Sequence, residues 1–232
     1  ENFVPVLYIT YDKMKTFKRL PIKYFNDFQI YNIYANEKNI FISTDRGVYK
    51  SSDNGKTWVR TSLGEITIEQ MSLIDNEVIA TDYSNLFFSD DYGETFTQIT
   101  ISPSVYKITR LASDETNFYV STNLGLQKKS VKSQKWELIY PQQTDLYLIN
   151  VSKNFVYFIK KIGIYYRLFV SDKDFVIVEE VPFDYVGKIL NIIQVGDNFL
   201  ISTFGRGVYL VSLNDLEPSQ IGISFTTDNT VL

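Results

Sequence analysis

The side chains of this chain that are equipped for chemistry are acids, cations and tyrosines, because its 232 residues include no His and no Cys. That absence removes a Ser-His-Asp triad, a His general base, a thiol nucleophile, a disulfide framework and every Cys/His metal site. Catalysis would have to run on Asp, Glu, Tyr, Lys or Arg. Asp45, Asp82 and Asp184 lie in short polar segments. Two such acids held roughly 5–10 Å apart are what glycoside hydrolysis requires. Beside them in the sequence, or in comparable segments, stand Arg46, Tyr83, Lys160, Lys161 and Arg206, with Tyr24 and Tyr185 in further linkers. Acids, cations and aromatics in combination also suit a sugar or a protein partner.

A second group of residues repeats as a unit. SSDNGKTW, residues 51–58, and SDDYGETF, residues 89–96, carry Ser, Asp, Gly, Thr and an aromatic in the same order. Gly55 and Gly93 suit the positive φ of a tight turn. Asp53 and Asp91 suit carboxylates that accept backbone N–H groups of that turn. Ser51 and Ser89 open it, Thr57 and Thr95 close it with their hydroxyls, and Trp58 and Phe96 return the chain to an apolar layer. One carboxylate per turn is too few for calcium. The octets read as fold elements, and no metal or cofactor is expected.

The elements that must position these residues also repeat. Phe17, Trp58, Phe96, Trp136 and Phe175 are spaced by 41, 38, 40 and 39 residues. Within each period lie short runs of β-branched and aromatic residues separated by Asn, Asp and Gly, and helical spacing is not sustained. Four antiparallel strands per unit of about 40 residues is the arithmetic of a β-propeller blade. First-and-second-strand pairs fall near residues 29–44, 66–81, 105–122, 146–160 and 188–203. Third-and-fourth-strand hairpins fall at 4–20, 47–62, 85–100, 125–139, 164–179 and 207–224. The expectation is an all-β chain, residues 1–232 as a single propeller domain, with six blades of which one is incomplete. Five blades, or a piece of a larger ring, are the alternatives.

Alternating strands place the octet turns and the first-to-second turns on one face, and the second-to-third turns on the other. The second-to-third segments are Thr44–Gly47, Thr81–Ser84, Thr122–Gly125, Lys160–Ile162 and Phe204–Gly207. Asp45, Arg46, Asp82, Tyr83, Lys160, Lys161 and Arg206 therefore share a face, with Tyr24 and Tyr185 on the crossings between blades. Because those segments differ from blade to blade, one asymmetric site fits better than a ring of equal sugar sites.

The pattern Ser/Thr-x-Asp-x-Gly-x-Thr-aromatic resembles the Asp-box, or BNR repeat, of sialidases, sortilin-type receptors, some xyloglucanases and photosystem II assembly propellers. Residues 51–58 and 89–96 match it fully. TYDKMKTF, residues 10–17, keeps Thr10, Asp12, Thr16 and Phe17 but has Met14 in place of Gly; residues 130–136 and 171–175 are eroded copies. The resemblance implies that the turn joins the third and fourth strands and is structural. It implies a ligand on the opposite face, often a protein or peptide held without catalysis, and an extracytoplasmic location. Arg19-Leu20-Pro21 is similar to the Arg-Ile-Pro element of sialidases, yet it follows a box-like turn on an outer strand, and a Tyr-Glu nucleophile pair cannot be pointed to.

Composition narrows the partners. Apolar content of 44% and aromatic content of 16% supply a packed core. A net charge of −4 argues against a polyanion-binding surface, so no nucleic acid is expected. No apolar stretch reaches a membrane span. The first residue is Glu1, which is read as upstream processing or truncation and agrees with an exported chain. The function expected is a non-catalytic extracytoplasmic scaffold that binds a protein or peptide. A lectin, or a glycoside hydrolase using paired carboxylates, is the alternative.

Overall fold

The computed structural model describes residues 6–10, 12, 15–20, 28–36, 38–131, 133–141, 146–152, 154–162, 165–176, 178–181, 189–195, 198–204 and 207–212. Every regular element among them is a β-strand. The chain forms two compact units, residues 1–102 and 103–232.

The first unit begins with a hairpin, β1 (Tyr8–Ile9) and β2 (Lys18–Arg19). A four-stranded antiparallel sheet follows: β3 (Ile30–Ala35), β4 (Ile40–Thr44), β5 (Gly47–Ser51) and β6 (Val59–Arg60). The next sheet has β7 (Gln70–Ile74), β8 (Glu77–Thr81), β9 (Leu86–Ser89) and β10 (Thr97–Ile99). The second unit continues with β11 (Ile108–Ser113), β12 (Asn117–Thr122), β13 (Gly125–Ser130) and β14 (Glu137–Pro141). A further sheet holds β15 (Leu146–Val151), β16 (Phe155–Ile162), β17 (Tyr165–Asp172) and β18 (Val178–Val181). A three-stranded sheet of β19 (Ile189–Val195), β20 (Asn198–Thr203) and β21 (Gly207–Ser212) completes it.

Strand order follows chain order, so each sheet is an up-and-down meander built from local pairings. The second strand of each meander explains how the sheets stack. Phe41 to Thr44 in β4, Val78 to Thr81 in β8 and Phe118 to Thr122 in β12 are consecutively buried rather than alternately. A strand reads that way when both faces of its sheet are covered. The covering is visible in the cores. Phe41 and Val48 pack with Ile68, just before the following sheet, and with Met71, Val78, Ala80 and Phe87 of that sheet. In the second unit, Tyr119 and Leu126 pack with Leu146, Val156 and Phe158, while Tyr157, Ile159, Leu168 and Val170 pack with Ile192, Phe199 and Ile201. Each such side chain contributes roughly 1.5–3 kcal/mol of burial, so stacking of neighbours is the main source of stability.

Five blades are present among the described residues, four of four strands and one of three. This corrects the expected six and agrees with the alternative of five. The extra hairpin expected at residues 4–20 exists as β1 and β2, but it is a two-stranded ribbon and not a blade. Its Leu7 and Leu20 pack on Ile42 and Trp58 of the first blade. A bulge recurs near the start of the first strand in four blades, between Ile30 and Asn32, Ile108 and Arg110, Leu146 and Leu148, and Ile189 and Asn191. It turns the chain as it enters those four sheets.

Candidate functional site

At the end of the blade where the second strand turns into the third, one device recurs in four of the five blades among the described residues. The Thr44 hydroxyl donates to the carbonyl of Gly47 at 2.8 Å and accepts the Arg46 N–H at 3.0 Å. Thr81 does the same with Asn85 and Tyr83, at 2.8 and 2.9 Å. Thr122 does so with Gly125 and Leu124, at 3.0 and 3.1 Å, and Thr203 donates to Gly207 at 2.9 Å. Sequence reasoning assigned these threonines no role. Their recurrence as the last residue of the second strand was the signal that would have found them.

The residue after the threonine ties the turn to the rest of its blade. Asp45 Oδ1 accepts the Gln29 N–H at 2.9 Å, and the Gln29 carbonyl accepts the Asp45 N–H at 3.1 Å. Asn123 occupies the corresponding place: its Oδ1 accepts the N–H groups of Tyr106 and Lys107, and its Nδ2 donates to the Ser104 carbonyl. Asp82 folds onto its own loop, accepting the N–H groups of Ser84 and Asn85 at 2.9 and 2.7 Å and the Asn85 amide at 2.8 Å. Both carboxylates thus hold loops. What the loops of the first unit display is different: the Arg46 guanidinium lies over the Phe28 ring, 4.7 Å from its centroid, and Tyr83 stands at φ 73° with 39% of its surface exposed.

In the fourth blade the expected Lys160–Ile162 loop is a strand, which is a correction. Lys160, Lys161 and Ile162 pair with Arg167, Tyr166 and Tyr165, so β16 and β17 extend as eight-residue strands. Lys160 faces Leu146 in the register where Thr44, Thr81, Thr122 and Thr203 sit opposite the first strands of their own blades. An ammonium cannot accept the turn N–H as a hydroxyl does, so the ladder runs on. Lys160 is instead enclosed by aromatics: its Nζ lies 4.4 Å from the Phe169 centroid and 4.7 Å from that of Tyr140, whose hydroxyl accepts its N–H. Lys161 is exposed. Tyr24, Asp184, Tyr185 and Arg206 lie outside the described residues.

The octet turns form the opposite end. Asp53 Oδ1 accepts from Ser51 Oγ and from the N–H groups of Lys56 and Thr57, and Oδ2 accepts from Thr57 Oγ1 at 2.6 Å. Asp91 repeats this with Ser89 and Thr95, and Asp12 does so with Thr10 and Thr16. Bonds from the Thr57 hydroxyl and N–H lower the Asp53 pKa to about 2, and those from Thr16 lower Asp12 to about 2. Asp91 also falls to about 2, since the Thr95 and Ser89 bonds outweigh the desolvation that raises it. Among the described residues no group of three or more acids is placed to hold a metal.

Each turn presses on the sheet before it. A Cβ added to Gly93, at φ 76°, would sit 2.6 Å from Phe41 Cε1, and one on Gly55 would sit 2.7 Å from Leu20 Cδ1. Glu94 reaches back to Lys50, whose Nζ is 2.5 Å from the carboxylate and beneath the protein surface. Lys50, Asp53, Arg60, Thr61, Gly93 and Glu94 are among the residues lining a cleft of about 230 Å³ there.

No protein-family model matches the chain, and no curated protein matches its sequence. Its fold is shared by solved structures. The structure of YCF48 bound to D1 peptide superposes with a TM-score of 0.66 at 11% identity, over 89% of this chain and 72% of that one. The fold is that of a β-propeller. An ancestral GH74 enzyme gives 0.66 at 14% identity, over 90% of this chain and 35% of its own. PorZ, a bacterial surface component of the type-IX secretion system of Porphyromonas gingivalis, gives 0.62 at 13% identity, over 89% and 30%. The propeller described here therefore spans about a third of the length of those last two chains.

Proposed function

We propose that this propeller, residues 1–232 acting as one domain, is a non-catalytic module that binds a protein or peptide through its second-to-third turns, in an extracytoplasmic compartment. The observation that carries the reading is the state of Asp45 and Asp82. Two of the three acids a hydrolase would draw on, Asp45 and Asp82, are bonded to backbone N–H groups, while the loops they fix project Arg46 and Tyr83. A carboxylate spent on loop geometry is poorly placed to trade protons. A preformed loop presenting Arg and Tyr suits the centre of a binding surface. The differing turn tips fit one asymmetric contact better than repeated sugar sites. The D1 peptide held by YCF48 and the surface location of PorZ support a peptide partner and an extracytoplasmic setting. The shared hydrogen-bond scheme of residues 10–17, 51–58 and 89–96 supports assigning the octets as Asp-boxes, with a structural role.

The test is a partner captured from the native source and then titrated against an Arg46→Ala/Tyr83→Ala variant. Binding is expected to weaken by more than about 1 kcal/mol with melting unchanged. Specific binding on a glycan array, or oligosaccharide hydrolysis lost in Asp82→Asn, would replace this reading with the carbohydrate alternative.

A further inference from the structure

The fifth blade repeats the row of residues by which the first blade holds its neighbour. In the first blade Asn32, Ser43 and Val48 stand side by side across β3, β4 and β5. Val48 is fully buried in the core shared with the second blade. Asn32 Nδ2 donates to the carbonyl of Glu69, the residue before β7, at 3.2 Å. In the fifth blade Asn191, Ser202 and Val208 form the same row across β19, β20 and β21. The fourth blade uses the amide too: Asn150 Oδ1 accepts the Val151 N–H, and its Nδ2 donates to the Ile192 carbonyl of the fifth. Asn191 is set alike, its Oδ1 accepting the Ile192 N–H at 3.0 Å, but its Nδ2 meets no acceptor among the described residues. Val208 is 66% exposed where Val48 is covered.

The rest of that face is apolar as well. Ile193, Leu200 and Leu210 make the adjoining row, with Ile193 and Leu210 exposed. The other face of the same sheet, with Phe199 and Ile201, is packed on the fourth blade. Burial along β20 therefore alternates, whereas β4, β8 and β12 are buried on consecutive residues. No Asp, Glu, Lys or Arg stands in either row of the bare face.

We infer that this face is a self-association surface, which docks the same face of a second copy of the chain about a two-fold axis. Continuity argues for a sheet as the occupant, since the same row already seats a sheet in the first unit. Lack of charge argues for a copy. Chains carrying −4 each meet here without like charges opposed. Three strands about 4.8 Å apart and five residues at about 3.4 Å give a face of roughly 15 by 17 Å. Counting side-chain relief, a pair buries on the order of 1,000 Å², the lower bound of a specific interface. A two-fold contact is closed, so association stops at the dimer.

The chain contains no Cys, so Val208→Cys places a single thiol within the face and keeps its apolar character. Alkylation of that thiol by iodoacetamide is timed between about 5 and about 500 µM protein, alongside sedimentation equilibrium. The rate is expected to fall severalfold as concentration rises, while the mass climbs toward twice that of the monomer. Adding Leu210→Lys, at an exposed side chain, should hold the protein monomeric and abolish the concentration dependence. Val59→Lys, at an exposed side chain of the first unit, should leave both readings unchanged. Circular dichroism checks that each variant keeps its sheets. Alkylation that is slow at every concentration assigns the face to a segment of the same chain. Alkylation that is fast at every concentration leaves it to a different polypeptide. Either result, or a dimer that survives Leu210→Lys, overturns the inference. None of these outcomes bears on the loops of Arg46 and Tyr83.

Discussion

Three glycines with positive φ separate backbone strain from packing, because a methyl group added to each meets different surroundings. Gly64, at φ 69°, has open space around its would-be Cβ. Gly64→Ala therefore pays only the left-handed penalty of an L-residue, about 1 kcal/mol. At this chain length that lowers the melting temperature by about 2–4 °C. Gly93 has a similar φ of 76°, but its Cβ would lie 2.6 and 3.0 Å from Phe41 Cε1 and Cζ. Phe41 is fully buried and cannot swing aside. Overpacking of this kind adds about 1–3 kcal/mol, so Gly93→Ala should cost about 2–4 kcal/mol. Gly47, at φ 106°, would place its Cβ 2.0 Å from the Gly64 carbonyl oxygen. Backbone must move there, so Gly47→Ala should be the most damaging of the three. Thermal and urea unfolding of the three variants, followed by circular dichroism, give the ranking. If Gly93→Ala melts together with Gly64→Ala, the turn does not seat against Phe41 as described.

Two further predictions concern buried and acidic groups. The Thr61 hydroxyl is buried with no hydrogen-bond partner among the described residues, so Thr61→Val should hold or raise the melting temperature, whereas a further partner would make it fall. Asp12, Asp53 and Asp91 titrate near 2 in the folded chain against an ordinary 3.8. Depressed acids stabilise above their unfolded value, so this contribution is intact above about pH 4 and is lost as pH falls toward 2. Melting curves across that window should show the loss, and Asp53→Asn should lower stability at pH 7 while making the acid decline shallower.

The strand hairpins were legible in the sequence because each is a local event: runs of Ile, Val, Phe and Tyr closed by Asn, Asp and Gly within one period. The pairs expected at 29–44, 105–122 and 188–203 coincide with β3–β4, β11–β12 and β19–β20. The octet turns were legible for the same reason, since the hydrogen bonds of each carboxylate come from within four residues. What escaped lies between repeats. The glycine of one turn meets an aromatic of the preceding sheet, and Lys50 meets Glu94 at a separation of 44 residues. Periodicity aligns repeats but does not say which positions of neighbours touch. Asp45 looked like a free acid because its partner, the Gln29 N–H, belongs to backbone 16 residues earlier, just before the first strand of the blade. The Lys160 segment looked like a loop because its neighbours' threonines end their strands there.

In the fourth blade's eroded turn, Lys173 follows Ser171 by two residues, where Asp53 follows Ser51 and Asp91 follows Ser89. Its Nζ lies 2.5 Å from Asp114 of the preceding blade, which also accepts from Tyr119 and from the N–H groups of Thr116 and Asn117. Two full octets satisfy their carboxylates internally, so those carboxylates need no particular neighbour. The Asp114–Lys173 pair spans 59 residues and binds one copy to one particular neighbour. A crossover that removed the fourth blade would take the ammonium from the buried Asp114, and one that removed the third would leave Lys173 without its acid. An eroded repeat is thereby tied, through one ion pair, to a particular place in the order of blades.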